Sequence, residues 1–583
     1  MKTSTNKLLY FIAFILLSVG SIRIILTYDK LTISPDELVH VATGLELIEN
    51  GTYYLEALHP PLARLSVAIL PYLGGASLSE EFYAKYSHPF NENSGYKQSF
   101  EGRNLGGQQI FFAKSHDNYK KMVFLSRLGI LPYFLLCGIV IFVWVRTHIG
   151  SYTALYSILF YTTLPIILAN SGLATTDMPM CALLTCTIFA LLEWLESASF
   201  KNTLLLGFSF ALLVVTKFSG AIFFLIVAAP IILAKDYATG KVSRGFNGAR
   251  VTSIMLISII TFFMVWCTYN FELTTLSYPY FLTPEKVSAL KASLRDFGLS
   301  EKSVKKLFTA KILPFPEFFH GLSDLSDRIA YVYAGYIFGK VLLFQGVWYF
   351  FPAATLFKTP LFVLALGLLG CCLLIKIFIS QKNWKVVAPV IVVFTLLLAS
   401  TAFNMNIGLR HLLPIFPFIC ITAGYSLDFL LNRRPLFING LTVLLLAAYL
   451  VTTALSHPFY VAYFNFMAQG RGEEILIDSD FDIGQELEYA LTFPEVHNNI
   501  DSLKLYYSGL ADPGFFGFKE YVLYQMELHH KNFNINFGNS RYLLISIPLL
   551  KLLPKEKKSD IAKCKDARRI GQTFMLYDFN SCI

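Results

Sequence analysis

Eleven apolar runs recur along this chain, at about residues 8–26, 122–145, 152–170, 178–195, 203–216, 219–234, 251–269, 360–378, 387–403, 411–430 and 437–455. Most approach the ~20 residues that an α-helix needs to cross the hydrocarbon core of a bilayer. In hydrocarbon every backbone N–H and C=O must find its partner within the protein, so runs of this length fold as helices. Composition agrees: 55% of the 583 residues are hydrophobic and 15% are charged, where a soluble chain carries about one quarter. A soluble multidomain enzyme, a disordered protein and a fibrous repeat are excluded. The first run follows Lys2 and Lys7, lacks a small-x-small cleavage site and is long enough to span. It reads as an uncleaved helix with its N-terminus in the cytoplasm.

The stretch 203–234 is interrupted by Lys217-Phe218-Ser219-Gly220. Read as a hairpin, it leaves Arg146, Lys201, Lys235, Arg250, Lys382, Lys385 and Arg433 in short cytoplasmic segments. Read as one helix, it would put the later basic loops outside, against the positive-inside rule. The net charge of +9 then belongs to cytoplasmic loops and points to no nucleic acid. Eleven spans place the C-terminus outside. The expected fold is an α-helical polytopic membrane protein of about 11 transmembrane helices over residues 1–455, with large outer loops at 28–121 and 270–345. A small extracytoplasmic α/β domain follows over 456–583, with strand-like runs at Leu503–Tyr507, Tyr542–Ile547 and Thr573–Tyr577. Seven of nine cysteines lie in apolar stretches; Cys564 and Cys582 lie in the outer domain, where an oxidising compartment allows them to pair.

Charged residues at the outer ends of these runs are the candidates for chemistry. Ser34-Pro35-Asp36-Glu37 reads structurally as a capped helix start with acids favoured in the first turn. Functionally, it fixes a carboxylate at the water boundary. Adjacent helical residues diverge by about 100°, so Asp36 and Glu37 do not share one task. His59-Pro60-Pro61-Leu62-Ala63-Arg64 is a rigid turn into a helix. Asp177, in Thr176-Asp177-Met178-Pro179, is a charge at a span entrance that requires a partner or a wet cavity; Lys217 is the natural partner. Arg410 and His411, after Gly408-Leu409, stand at the outer edge of a late span. An arginine there suits a phosphate, which it binds in bidentate fashion, or snorkels to headgroups. Lys358, in Leu356-Phe357-Lys358-Thr359-Pro360, reads either way. Asp478-Ser479-Asp480-Phe481-Asp482 contains two overlapping DxD patterns. It reads as a loop more than a metal site, because Tyr489 stands where an EF-hand needs Glu.

Taken in order, these segments resemble the GT-C glycosyltransferases of the protein O-mannosyltransferase and aminoarabinose-transferase type. The order is Asp-Glu and then His-Pro-Pro-Leu in a first outer loop, Thr-Asp-x-Pro in a second, Thr216-Lys217-Phe218-Ser219-Gly220, and Arg410-His411-Leu412-Leu413-Pro414. Gly346-Val347-Trp348-Tyr349, His457-Pro458-Phe459-Tyr460 and Asp482-Ile483-Gly484-Gln485 look like an uncharacterised bacterial subgroup, in which Trp is usual where Ile483 stands here. The resemblance implies transfer of a sugar from a polyprenyl-phosphate donor to an acceptor hydroxyl on the extracytoplasmic face, with inversion. It implies Asp36 as the base and Glu37 orienting it or binding sugar. Arg410, Lys217 and Arg64 would hold phosphate and Asp177 sugar or acceptor hydroxyls; His59, His411 and Lys358 complete the candidate binding set. No cofactor is required by this scheme, and a divalent metal stays open.

The implied partners are the lipid-linked donor, a lipid, glycan or protein acceptor, and membrane lipids. The implied location is the plasma (inner) membrane, with multiple passes. Other readings of the same body are a transporter or flippase of a lipid-linked sugar, a receptor-like protein working through its tail, and a transferase of whole lipid-linked oligosaccharides. A transporter more often shows inverted repeats or broken helices.

Overall fold

A computed structural model describes residues 2–87, 95–240, 248–275, 284–296, 300–330, 335–342, 346–402, 406–433, 435–523 and 540–581. Each of the eleven apolar runs is helical there. Among the described residues, eight helices are long and apolar enough to cross a membrane. Two further helices, Ser151–Thr163 and Pro165–Ser171, are apolar enough only together and meet at a 62° bend. Pro165 lacks an N–H and pushes Leu164 into extended backbone, ending the first helix. The remaining two, Phe200–Val214 and Trp384–Ser400, are shorter apolar helices of 15 and 17 residues. They lie at or just below the short end of the spanning range, and with them the described residues carry all of the about eleven apolar helices expected. The stretch 203–234 is two helices, separated at Lys217, whose backbone is extended.

Packing separates an inner set from an outer set. The Asp177–Glu196 helix and the span Leu409–Asn432 are almost wholly enclosed, whereas Arg250–Thr268 and Leu436–Leu455 lie at the periphery. Leu436, Phe437, Leu444 and Leu455 are exposed there. Continuous apolar surface of this kind has no place in water, and the protein is a multi-pass membrane protein.

The tail forms a five-stranded sheet. From edge to edge it runs Glu520–Leu523, Leu503–Tyr507, Tyr542–Ser546, Phe574–Asp578 and Ala567–Ile570. The first two pairings are parallel and the last two antiparallel. The three runs read from sequence fall on three of these strands; Glu520–Leu523, exposed along its length, and Ala567–Ile570 carry no apolar alternation to reveal them. Side chains alternate between the faces of a strand. Leu505, Tyr507, Leu544, Phe574 and Leu576 join the core continuous with the helices, while Tyr506, Leu543, Ile545 and Tyr577 pack with Leu549, Leu553 and Ile561 beneath the tail's own helices. Between Leu455 and Leu503 the chain runs as short 3-10 turns, two four-residue α-helices (Leu487–Ala490 and Pro494–His497) and irregular backbone laid against the helical body. Asn465 N–H donates to Phe357 O at 2.8 Å and Thr32 N–H to Gln485 O at 2.8 Å. Cys564 is disulfide-bonded; Cys582, its expected partner, lies outside the described residues.

Candidate functional site

The site grows from a capped helix. Pro35–Asn50 starts with Ser34 as N-cap, Pro35 in the first turn and Glu37 reaching back to Ser34 N at 2.8 Å. The structural reading of this segment therefore holds, and it directs the two acids apart. Glu37 turns inward and is fully buried. Its oxygens accept from Arg127 Nε at 2.8 Å, Arg127 Nη2 at 3.0 Å and Ala174 N at 2.8 Å. Arg127 also donates to Leu31 O at 2.8 Å and Thr32 O at 3.1 Å. Burial alone would raise the Glu37 carboxyl; the Arg127 guanidinium outweighs it and holds Glu37 below its ordinary value. Four donors thus meet the Glu37 carboxylate.

Asp36 turns the other way. It is half-exposed, and its Oδ2 accepts from Arg410 Nη1 in an ion pair. Burial pushes its carboxyl up, but Arg410 foremost, then His40 and His59, draw it down below the usual carboxylate range. A second pair lies alongside: Lys217 Nζ donates to Asp177 Oδ1 at 2.7 Å, both side chains being buried. This is the partnership the span-entrance charge required. Asp177 lies within electrostatic reach of Arg410 and His411, and His411 within reach of Asp36. Asp36, Arg410, Asp177, Lys217 and His411 thus form one cluster of alternating charge at one end of the helical body. Arg410 Nε and His411 Nε2 are buried with no hydrogen-bond partner among the described residues. Such atoms cost about 1–3 kcal/mol each while unmet, so they favour an incoming polar ligand.

Arg64 is fully buried and already spent: it ion-pairs with Glu56, donates to Tyr53 Oη at 2.8 Å and gives its Nε–H to His40 Nδ1 at 3.3 Å. The His59-Pro60-Pro61 turn starts the helix Pro61–Leu73 and carries Arg64 inward, against His40. Its helix packs so closely on the first that a Cβ at Gly44 would collide with Arg64 O. His59 is half-buried, its ring 5.7 Å from that of His40. His40 had no role assigned from sequence, although it stands one turn after Asp36 and the i, i+4 spacing puts both on one face.

Lys358 is buried, donates to Val461 O at 2.6 Å and to Asp480 O, and lies 4.4 Å from the centre of the Phe464 ring. Burial pulls its ammonium down to about 8, with Asp480 opposing. Lys358 and Arg410 line one small recess together with Ile166, Asn170, Thr175 and Ser479. The tail DxD is built into this wall: both carboxylate oxygens of Asp480 accept from Leu409 N, at 3.0 and 3.1 Å. Among the described residues no three His, Cys, Asp or Glu side chains are grouped to hold a metal ion.

Among solved structures, the apo oligosaccharyltransferase of Archaeoglobus fulgidus superposes with a TM-score of 0.46 at 12% identity, covering 90% of this chain and 61% of that one. ArnT from Cupriavidus metallidurans, bound to undecaprenyl phosphate, gives 0.43 at 11% identity over 97% of both chains. The present chain thus spans about three-fifths of the archaeal enzyme's length. No curated protein matches it in sequence. Residues 124–266 match the family described as dolichyl-phosphate-mannose-protein mannosyltransferase. That segment carries Asp177 and Lys217, and over it the chain resembles the same GT-C glycosyltransferases to which the order of its motifs points.

Proposed function

We propose that this protein is an inverting glycosyltransferase that moves a sugar from a polyprenyl-phosphate donor to an acceptor hydroxyl at the extracytoplasmic face of the membrane. The observation that carries the reading is the Asp36–Arg410 pair, an oriented carboxylate held by a cation at the rim of a helical body. The family matched over residues 124–266 is described by a lipid-phosphate sugar donor and a protein acceptor, which supports the donor class. In the reaction, the acceptor oxygen gives its proton to Asp36 and attacks the anomeric carbon. The bond from that carbon to the phosphate oxygen breaks, and the electron pair leaves on the lipid phosphate. One base suffices for such a displacement, and fixed cations stabilise the departing charge.

Arg410 has two possible partners, Asp36 at rest and the donor phosphate when it arrives. A carboxylate bound to Arg410 is a weak base. Donor binding that draws Arg410 toward phosphate releases Asp36 and raises its basicity at the moment an acceptor can react. Lys217, held by Asp177, supplies the second cation. Replacing Arg410 with Ala is expected to weaken binding of undecaprenyl phosphate by about 10-fold or more, because a charge-assisted contact is lost; the measurement is a Kd on purified protein in nanodiscs. An unchanged Kd would remove Arg410 from the phosphate site.

The same reading places the tail outside the cell membrane. A cysteine introduced at Lys504 is expected to react with a membrane-impermeant thiol reagent in intact cells. Labelling only after the membrane is breached would reverse the orientation.

A further inference from the structure

We infer that the C-terminal domain is a positioning module for the membrane site, with Asp480 as the residue that holds Arg410 in place. This rests on Arg410 being the phosphate ligand proposed above. The turn before Arg410 is tied to the tail at consecutive residues. Ser479 Oγ donates to Ile407 O. Gly408 lies so close that a Cβ there would collide with Ser479 Oγ. Leu409 N–H donates to both oxygens of the Asp480 carboxylate. Leu409 opens the 3-10 helix Leu409–Ile415, and the first N–H groups of a helix have no acceptor within it. Asp480, 71 residues away in sequence and nearly wholly buried, supplies that acceptor from another part of the chain. Its carbonyl meanwhile accepts from Lys358, so one residue anchors both cations that line the recess.

The segment that follows Asp480 is tied to the sheet. Tyr507, at the end of the strand Leu503–Tyr507, donates its hydroxyl to Gly484 O at 2.6 Å. Asp482 accepts from Gly484 N at 2.8 Å and is buried beside Ser546, the last residue of the strand Tyr542–Ser546. These two strands are parallel neighbours, and open α/β sheets receive ligands at the carboxyl ends of such strands. Here residues 482–486 lie over that edge. The part of the sheet best suited to grip a ligand grips this loop, and the loop grips the turn that carries Arg410.

The test uses full-length protein in nanodiscs, with undecaprenyl phosphate as the probe and thermal unfolding as the control for folding. Asp480→Ala is expected to weaken binding about 10-fold, and Asp480→Asn, which keeps one acceptor oxygen for Leu409 N–H, about threefold. In the Arg410→Ala background neither change should weaken binding further, because a residue that acts through Arg410 has nothing left to position. Ser479→Ala, a milder loss, carries the same cycle if Asp480→Ala does not fold. A folded Asp480→Ala protein with wild-type affinity, beside an Arg410→Ala protein that has lost it, would overturn the inference, as would losses that simply add in the double variant. If Arg410→Ala itself binds normally, the phosphate reading of Arg410 fails first and the role assigned to Asp480 fails with it.

Discussion

Asp36→Asn is expected to cut sugar transfer by about 100-fold or more, the scale of losing a positioned general base, while binding of polyprenyl phosphate holds or tightens. Asn keeps the size and most of the packing of Asp36 but cannot take the acceptor proton. It also gives up the ion pair with Arg410, so the guanidinium no longer has to leave a carboxylate before it meets phosphate. The two effects have opposite sign, which distinguishes a base from a general structural role. Transfer of label from defined polyprenyl-phosphate sugars by purified protein reads the first; equilibrium binding of undecaprenyl phosphate reads the second. A pH profile adds a further check. At rest Arg410 holds Asp36 below the usual carboxylate range, so the carboxylate stays ionised as pH falls through that range. The acid limb of kcat/KM, which reports the free enzyme, should therefore lie lower in pH than the acid limb of kcat, where Arg410 has turned to phosphate. Near-normal transfer by Asp36→Asn, or coincident acid limbs, would place the base elsewhere.

The largest loss of stability is expected from Arg127→Met. Glu37 and Arg127 are both fully buried, and removing one member of such a pair leaves an uncompensated charge, at a cost of about 3–5 kcal/mol. Arg127 also holds the carbonyls of Leu31 and Thr32, so the entry to the Asp36 helix loosens with it. The double variant Glu37→Gln, Arg127→Met removes both charges and should recover much of the loss. Thermal unfolding of the purified variants gives the comparison. If the double variant is as unstable as Arg127→Met alone, the loss comes from the backbone carbonyls and not from the stranded Glu37 charge.

The helices and most of the tail sheet were legible in the sequence because their causes are local. Backbone groups in hydrocarbon must pair within their own helix, and a short, mostly apolar run marks a strand with two covered faces, as Leu503–Tyr507 and Tyr542–Ser546 show. The Asp177–Lys217 pair was legible for a similar reason: a charge at a span entrance needs a partner, and the break at 217 offered one. Which arginine pairs with Asp36 and which is buried within the fold was not legible. Arg64 and Arg127 are both buried beneath the rim, one spent on Glu56 and Tyr53, the other on Glu37, 90 residues distant. Arg410 reaches Asp36 across 374 residues, and Asp480 reaches Leu409 across 71. Local periodicity decides which face of an element is buried; the partner of a buried charge depends on which distant elements pack against that face, and that was decided only when the tail and the segment after the first helix packed against the same helices.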